Sequence, residues 1–553
     1  MARTFKNYSF ILNPSLFYHL ISSSPFKKKT PRFHRHLISS SSSPPHLLPL
    51  LFISSLFFLI VIGFFIPISR NSDPCSLIPQ SPYSENPMFL TSLLAMTSNV
   101  GNNHFSDEPT LSRTSMMPLP IRAVSIKNTT KDEAEFWKQP DGEGYKPCLE
   151  FGIEYRRESN RISKEKRRFL VVVVSGGLNQ QRNQIIDAVV IARILEAALV
   201  IPVMQVNRIW GDDSEFSDMF DVEHFKKTLQ ADVRIVSSLP SSHLVSKQTV
   251  ITQIPYGVPP IWIRARFSKQ LKEEGLLVLK GLDSKLSKNL PSDLQKLRCK
   301  VAFHALRFSS PIRELGTKLA NRMWIEGPYV AIHLRLEKDV WIRTGCLTGL
   351  GPKLDRIISN DRDSHPEFLT GRLNLSHIER RLSGLCPLNA HEVARLMKAL
   401  GAPRNARVYI AGGEPFGGAL AMKALFVEFP NLITKEMLAK EGELEPYANK
   451  SSAMAAIDYI VSLSSDVFLP SHGGNMARAM QGHRAYVGHR KFIRPNKRMM
   501  LPYFEDDEYI SNPRFSSIIR KLHHRLLGEP ELRTKARDRD VIAFPVPECM
   551  CKH

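Results

Sequence analysis

Six consecutive apolar residues, Phe169-Leu170-Val171-Val172-Val173-Val174, limit the possible fold more than any other stretch of this chain. Side chains alternate across a strand, so an unbroken apolar run has to be buried on both faces. Helices must then cover both sides of its sheet, which is the α/β arrangement. The residues that follow agree. Ser175-Gly176-Gly177-Leu178-Asn179 reads as a turn, Gln184–Ala198 as a helix apolar nearly all round, and Leu199–Val203 as a second strand. Val233–Val236 supplies a third. Strand, glycine turn, helix, strand is a βαβ unit and implies a parallel sheet. Ile185, Ile186, Val189, Val190 and Ile194 are then core residues.

Residues 240–300 carry less pattern, apart from a helix expected over Ser292–Leu306. A second α/β block is expected from Tyr329. Its strands are Tyr329–Leu334, Arg407–Ala411, Asp466–Leu469 and Ala485–Gly488, with helices over His391–Leu400, Gly418–Glu428 and Met454–Leu463. Beyond Ser511, Phe515, Ile518, Ile519, Leu522, Leu526 and Leu527 fall on one helical face. No internal repeat of fixed period occurs. The expected fold class is α/β, with two Rossmann-like domains facing a cleft.

The N-terminal part has a different character. Leu47–Ile68 is 22 residues without a charge, long enough to cross a bilayer core of about 30 Å. Seven basic residues and no acid precede it, so the positive-inside tendency puts the N-terminus in the cytosol and the rest in a lumen. The sequence therefore predicts a cytosolic tail over 1–46, a single-pass type II signal-anchor over 47–68 and a lumenal stem over 69–166, with Phe136, Trp137 and Cys148 hinting at a docked segment. All seven cysteines fall on the lumenal side without zinc-ligand spacing, which favours disulfides and leaves an odd one. Asn128, Asn374 and Asn449 head glycosylation sequons. The formal charge is +22, of which +15 remains beyond the basic tail. Such a surface suits nucleotide phosphates or acidic polysaccharide, and the anchor excludes nucleic acid as a partner.

Three glycine-rich turns follow expected strands: Ser175–Arg182, Gly412–Gly418 and Ser471–Asn475. Each offers backbone N–H groups at the start of a helix, where an anion such as phosphate is favoured. Arg335 stands at the end of the Tyr329 strand, where open α/β folds place ligand sites. Its planar fork of donors matches phosphate oxygens, although Glu337 and Asp339 are near enough to claim it as an ion pair. His333 shares its face of the strand and is either a ligand contact or a hydrogen-bonded core histidine. Asp458, flanked by apolar residues, needs a partner or a ligand. Asp361-Arg362-Asp363 and Asp538-Arg539-Asp540 have metal-nucleotide spacing but sit in polar, strand-free surroundings, and read as solvated charge runs. Neither a metal nor a cofactor is indicated, and no Gly-x-Ser-x-Gly elbow of a serine hydrolase appears.

Six runs in fixed order carry a resemblance: Gly176–Arg182, Ile332–Arg335, Gly384–Leu388, Ala411–Gly418, Ala455–Ile460 and Gly474–Ala479. Together they resemble the plant branch of the GDP-fucose protein O-fucosyltransferase family over roughly Phe169–Arg498. The resemblance implies a GT-B fold and a metal-independent inverting glycosyltransferase. Its domains would be an acceptor-side one over 167–325 and a nucleotide-sugar one over 326–500, before a C-terminal helix and tail over 501–553. It also implies a Golgi membrane location. Arg335 and Asn179 become the catalytic pair, Arg335 on the donor diphosphate and Asn179 facing sugar and acceptor. Gly176, Gly177, Leu178, Gln180, His333, Leu334, Asp466, Ser471, His472 and Asn475 become substrate contacts. The donor would be GDP-fucose, and the acceptor a protein or a cell-wall polysaccharide. Two other readings stay open at this point, a rhamnosyltransferase of the same superfamily and a non-catalytic, lectin-like Golgi partner. Glu414 and His472 are candidates for the base.

Overall fold

The computed structural model describes residues 116–122, 130–162, 167–207, 210–240, 251–370, 374–505, 512–534 and 539–552, all within one compact unit, Pro109–His553. The cytosolic tail, the Leu47–Ile68 anchor, Cys75 and Asn128 lie outside the described residues. Among those described, no helix is long and apolar enough to cross a membrane.

Much of what the sequence assigned to the stem is folded. Helix α1 (Lys131–Trp137) opens with a capping box between Thr130 and Glu133 and buries Phe136 and Trp137. A short strand β1 (Tyr145–Pro147) and helix α2 (Ile153–Ile162) follow. Tyr155 of α2 is buried, its hydroxyl donating to Asp232 at 2.8 Å and its ring lying under the Arg193 guanidinium. Residues 130–162 are therefore part of the folded body and not a stem.

The expected central strand is β2 (Phe169–Val174), buried at every position. After it come α3 (Leu178–Leu195), β3 (Ala198–Val200), β4 (Val203–Met204), β5 (Ile235–Val236), β6 (Ile251–Thr252), α4 (Pro260–Glu274), β7 (Leu276–Lys280), α5 (Ser292–Lys300) and α6 (Ser310–Ile325). The sheet runs β5-β3-β2-β7-β6, with β4 also on β2, and every pairing is parallel. Leu199–Val203 is not one strand. Its ladder breaks at Ile201-Pro202, because proline has no N–H to donate. Helix α3 begins at Leu178 rather than Gln184, so Asn179 and Gln180 sit in its first turn. The quiet region 240–300 hides α4 and β7, the latter beside β2; Gly275 ends α4 in the left-handed conformation (φ 72°).

The second half comprises β8 (Tyr329–His333), α7 (Lys338–Thr344), α8 (Ala390–Ala399), β9 (Arg407–Ala411), α9 (Gly418–Glu428), β10 (Leu432–Thr434), α10 (Ser451–Ser464), β11 (Val467–Pro470), α11 (Asn475–Tyr486) and β12 (Lys491–Phe492). Its sheet is parallel in the order β10-β9-β8-β11-β12. The strand expected at Ala485–Gly488 is the end of α11 and a turn, and the fifth strand comes later, at Lys491.

The faces of β8 alternate between two cores. Val330, Ile332 and Leu334 pack into an outer core with α8. Tyr329 and Ala331 join a core that also holds β2, α3, α6 and α10. Helices α6 and α10 touch closely, since a Cβ on Gly316 would lie 2.6 Å from the Ile460 side chain. The two sheets thus share one helical layer.

The chain's end wraps back over this body through α12 (Asn512–His523), which buries Phe515 and Ile519, and β13 (Met550–Lys552), antiparallel to β1. Disulfides Cys148–Cys551 and Cys299–Cys549 fasten it, and Cys346–Cys386 ties the loop after α7 to the Gly384–Leu388 run. Asp540 is not a solvated charge: its carboxylate pairs with the buried Arg298 at 2.9 Å. Asp361 does pair at the surface, with Lys338. Where α11 meets the tail there is no room for a side chain, because a Cβ on Gly482 would stand 1.5 Å from the carbonyl oxygen of Ile542. We expect Gly482→Ala to lower stability by more than the roughly 1–3 kcal/mol of ordinary overpacking and to expose the tail to proteolysis first. A thermal midpoint and a cleavage map check this; an unchanged midpoint would show that the tail docks otherwise.

Candidate active site

The C-terminal ends of β8, β9 and β11 finish level with one another, His333 opposite Ala411 and Pro470. Two glycine turns therefore leave the sheet on either side of Arg335. Gly412 approaches so closely that a Cβ would lie 2.8 Å from the Leu334 carbonyl oxygen, and its φ of 128° also demands glycine. This turn is clamped from below. The buried Asp458 carboxylate accepts from the Tyr409 hydroxyl (2.7 Å), the Gly412 N–H (3.1 Å) and Lys435 Nζ (3.2 Å), while Lys435 also donates to the Gly412 carbonyl at 3.0 Å. Burial pushes the Asp458 carboxyl up from its usual range, and Lys435 keeps it company there. Asp458 is thus a support of the turn, its partners all internal.

On the other side, Ser471 joins the strand ends: its N–H donates to the His333 carbonyl and its hydroxyl accepts from the Arg335 N–H, each at 3.0 Å. Its carbonyl in turn accepts from Leu388, so the Gly384–Leu388 run lies beside the third glycine turn. Ser471 is fully buried in this role.

Arg335 is held by both nearby acids. Its guanidinium lies 3.0 Å from Glu337 and donates to Asp339 at 3.2 Å, and about a quarter of the side chain is exposed. The ion-pair alternative weighed from sequence is therefore realised. Glu337 also accepts from Gly413 N–H at 3.1 Å, which links Arg335 to the second turn.

His333 and His472 are not ordinary core histidines. Nδ1 of each is buried without a hydrogen-bond partner. Burial, then the Arg335 charge, holds the His333 imidazole down at about 3. His472 is also held at about 3, by burial first and then by Lys497, His333, Arg335 and Arg478. That set of neighbours describes a basic cluster around two neutral imidazoles. Lys497 is itself lowered to about 8 by burial, and donates to the Cys386 carbonyl.

Asn179 reaches this region from the first half. Its Nδ2 donates to the thioether of Met476, a weak acceptor, at 3.4 Å, and its buried Oδ1 has no partner. The turn before it is fixed by α3 itself, Gln184 bonding to both backbone groups of Ser175 and Gln181 donating to the Gly176 carbonyl. All three glycine turns run into long helices, α3, α9 and α11. Their N-caps, Gly177, Gly417 and Gly474, make no side-chain cap hydrogen bond. First-turn N–H groups at such starts are the usual anion sites of α/β folds.

The structure does not gather every residue inferred from sequence. Asp466 lies at the opposite edge of the sheet, accepting from the Tyr329 N–H at 2.9 Å. Four residues of strand separate it from the His333 level, roughly 13 Å, and it is buried there, so its carboxylate is not among the groups at the glycine turns. Leu178 and Leu334 are buried core side chains. Gly176, Gly177, Gln180 and Asn475 remain at the turns. Arg478 and Lys497 were missed in the sequence; each is a basic residue in a first helical turn after a strand, a weak signal. Among the described residues no group of three or more metal-ligating side chains comes together. Asn374 and Asn449 are exposed.

With this geometry, the likeness to known proteins is specific. The model of the family described as GDP-fucose protein O-fucosyltransferase matches residues 169–487, from β2 to the end of α11. The chain belongs to that family. It is a glycosyltransferase. O-fucosyltransferase 37 of Arabidopsis thaliana is 62% identical over 100% of this chain and 98% of its own. Rhamnogalacturonan I rhamnosyltransferase 1 of the same plant is 37% identical over 69% of this chain and 77% of its own. Among solved structures, POFUT1 in complex with GDP superposes with a TM-score of 0.37 at 13% identity, covering 60% of this chain and 99% of that one.

Both imidazoles stay neutral in the fold down to about pH 3, whereas an unfolded histidine titrates near 6.5. The unfolded chain therefore takes up protons first as pH falls, so these groups remove stability between about 6.5 and 3 and leave it flat above. We expect His472→Gln to flatten the fall of the denaturant midpoint across that window. An unaltered pH slope would show that His472 is not buried neutral.

Proposed function

We propose that this glycosyltransferase moves fucose from GDP-fucose to a hydroxyl group of a protein or cell-wall glycan, inverting the anomeric centre without a metal. The observation that carries the reading is the pair of buried imidazole nitrogens without partners, on His333 and His472, gathered with Arg335, Arg478 and Lys497, while Asn179 lies against Met476 in the first turn of α11. Unpartnered buried atoms occur elsewhere in the fold as well, but among the described residues only these two imidazoles stand with Arg335, Arg478 and Lys497 at strand ends beside glycine turns, which suits an anionic, hydroxyl-rich ligand.

Each residue then has a task. Arg335 exchanges an acid partner for the diphosphate and stabilises the charge that grows on it as the C–O bond breaks. Arg478, Lys497 and the start of α11 share that charge. His333 and His472 hydrogen-bond the donor, and Asn475 with Gly473–Gly474 lets it approach the backbone. Gly176, Gly177 and Gln180 shape the acceptor side, where Asn179 orients the attacking hydroxyl but cannot accept its proton. Glu414 and His472 both stay candidates for the base: Glu414 is exposed on its turn, and His472, held at about 3 by burial and the cations around it, is a weak proton acceptor. The sugar passes through an oxocarbenium-like state, as in glycoside cleavage.

Three disulfides suit an oxidising lumen, in keeping with a Golgi enzyme anchored through Leu47–Ile68. The relative named for rhamnosyl transfer keeps UDP-rhamnose as the competing donor, against the higher identity of the relatives named for fucosyl transfer. For Arg335→Ala we expect kcat/KM for transfer to fall by about 10²–10³ while the protein is still secreted folded. Full activity in that variant would remove the mechanism, and saturable binding of UDP-rhamnose without GDP-fucose would replace the donor.

A further inference from the structure

The loop after β4 carries an indole that none of these roles uses. Trp210 is 41% exposed. Its loop is closed by paired backbone hydrogen bonds between Asn207 and Asp212, at 2.7 and 3.1 Å, and the Trp210 N–H donates to Asn207 Oδ1. The loop is tied at both sides of the cleft. Asn207 Nδ2 reaches the Gly176 carbonyl at 3.5 Å, while Asp212 Oδ2 accepts from Ser452 N–H at 2.7 Å and Ser451 Oγ at 3.1 Å, at the start of α10.

The indole edge rests on the first glycine turn. A Cβ on Gly177 would lie 3.2 Å from Cζ3 and 3.5 Å from Cη2 of Trp210. Gly177 has φ −77° and ψ 169°, extended backbone open to any residue. Conformation therefore does not require glycine there, whereas a side chain would press on the ring, and on Gln180 Oε1 at 3.3 Å, by a few tenths of an ångström. A single exposed aromatic is common and usually means nothing. This one differs: it is two residues from Asn179 in contact, its loop is braced by both halves, and the backbone beneath it has no side chain.

The face of an indole carries negative quadrupole charge. Its natural flat partner is the C–H-bearing face of a pyranose ring, which a serine or threonine side chain lacks. We infer that Trp210 is a stacking platform for a sugar unit of the acceptor, so that the acceptor is a glycan whose hydroxyl is held toward Asn179. This rests on the fucosyl-transfer reading for the donor, and it narrows the acceptor class from protein or glycan to glycan.

The test uses the full chain in detergent, with GDP-fucose binding measured by calorimetry. Acceptor binding is measured, with GDP present, by indole fluorescence titration against pectin-derived and hemicellulose-derived oligosaccharides and a serine/threonine-rich peptide. At least one oligosaccharide fraction should bind the wild type saturably. Trp210→Ala should weaken that binding about tenfold or more while GDP-fucose affinity stays within about twofold, and Trp210→Phe should recover most of it. Acceptor binding to the alanine variant is followed by NMR saturation transfer, since its reporter is gone. Phe426→Ala, which removes an aromatic 56% exposed on α9, should change neither value. The inference is overturned if no oligosaccharide binds the wild type, if only the peptide does, if Trp210→Ala binds glycan as well as wild type, or if it loses donor affinity in parallel. Failure of the wild type to bind GDP-fucose would instead strike the donor reading.

Discussion

Strand β8 has to satisfy two cores at once, and the site follows from that. Its alternate residues are committed in opposite directions, Val330, Ile332 and Leu334 outward and Tyr329 and Ala331 toward the layer shared with the first sheet. The same alternation turns His333 toward the shared side and leaves Arg335 where the strand ends. A one-residue slip would bury the arginine among the outer leucines, at a cost no sheet tolerates. The register is further fixed by Ser471, which bonds to the backbone on both sides of Leu334. Position of the basic group is thus a consequence of packing.

Electrostatics at that strand end is set up for exchange. With Glu337 and Asp339 beside it, Arg335 is neutralised and held at the strand end. In the proposed function, a diphosphate would offer more charge and better fork geometry than either carboxylate, and the arginine would gain by turning to it. Around it the two imidazoles stay neutral because burial and like charges oppose protonation, which leaves each free to accept or donate one hydrogen bond. The rigid part of the arrangement is the glycine turn held between Asp458 and Lys435, and the adaptable part is the arginine.

The sequence made the parallel sheets, the glycine turns and the strand-end place of Arg335 readable because each rests on a local pattern: an apolar run, a glycine pair, a charged strand end. It failed where structure depends on distant partners. β7 sits beside β2, yet its short Leu276–Lys280 run is recognisable only beside that neighbour. The residues 130–162 gave only a hint of docking, at Phe136, Trp137 and Cys148, because what holds them is distant in sequence: β13 against β1, the Cys148–Cys551 disulfide across 403 positions, and Asp232 beside Tyr155. Asp466 sat in a matching run, although its place at the start of a parallel strand already put it at the end of the sheet away from Arg335. The unpaired state of His333 and His472 was invisible, since it is a property of three-dimensional surroundings. Trp210 carried no signal at all before Gly177 was seen beneath it.

The most direct check of the account is an experimental structure of the full chain with GDP bound. The account predicts the diphosphate within hydrogen-bond reach of the Arg335 guanidinium and the start of α11, with Arg335 released from at least one of Glu337 and Asp339, and with Nδ1 of His333 or His472 newly partnered. A nucleotide seated elsewhere, with Arg335 still bridging both acids, would contradict it.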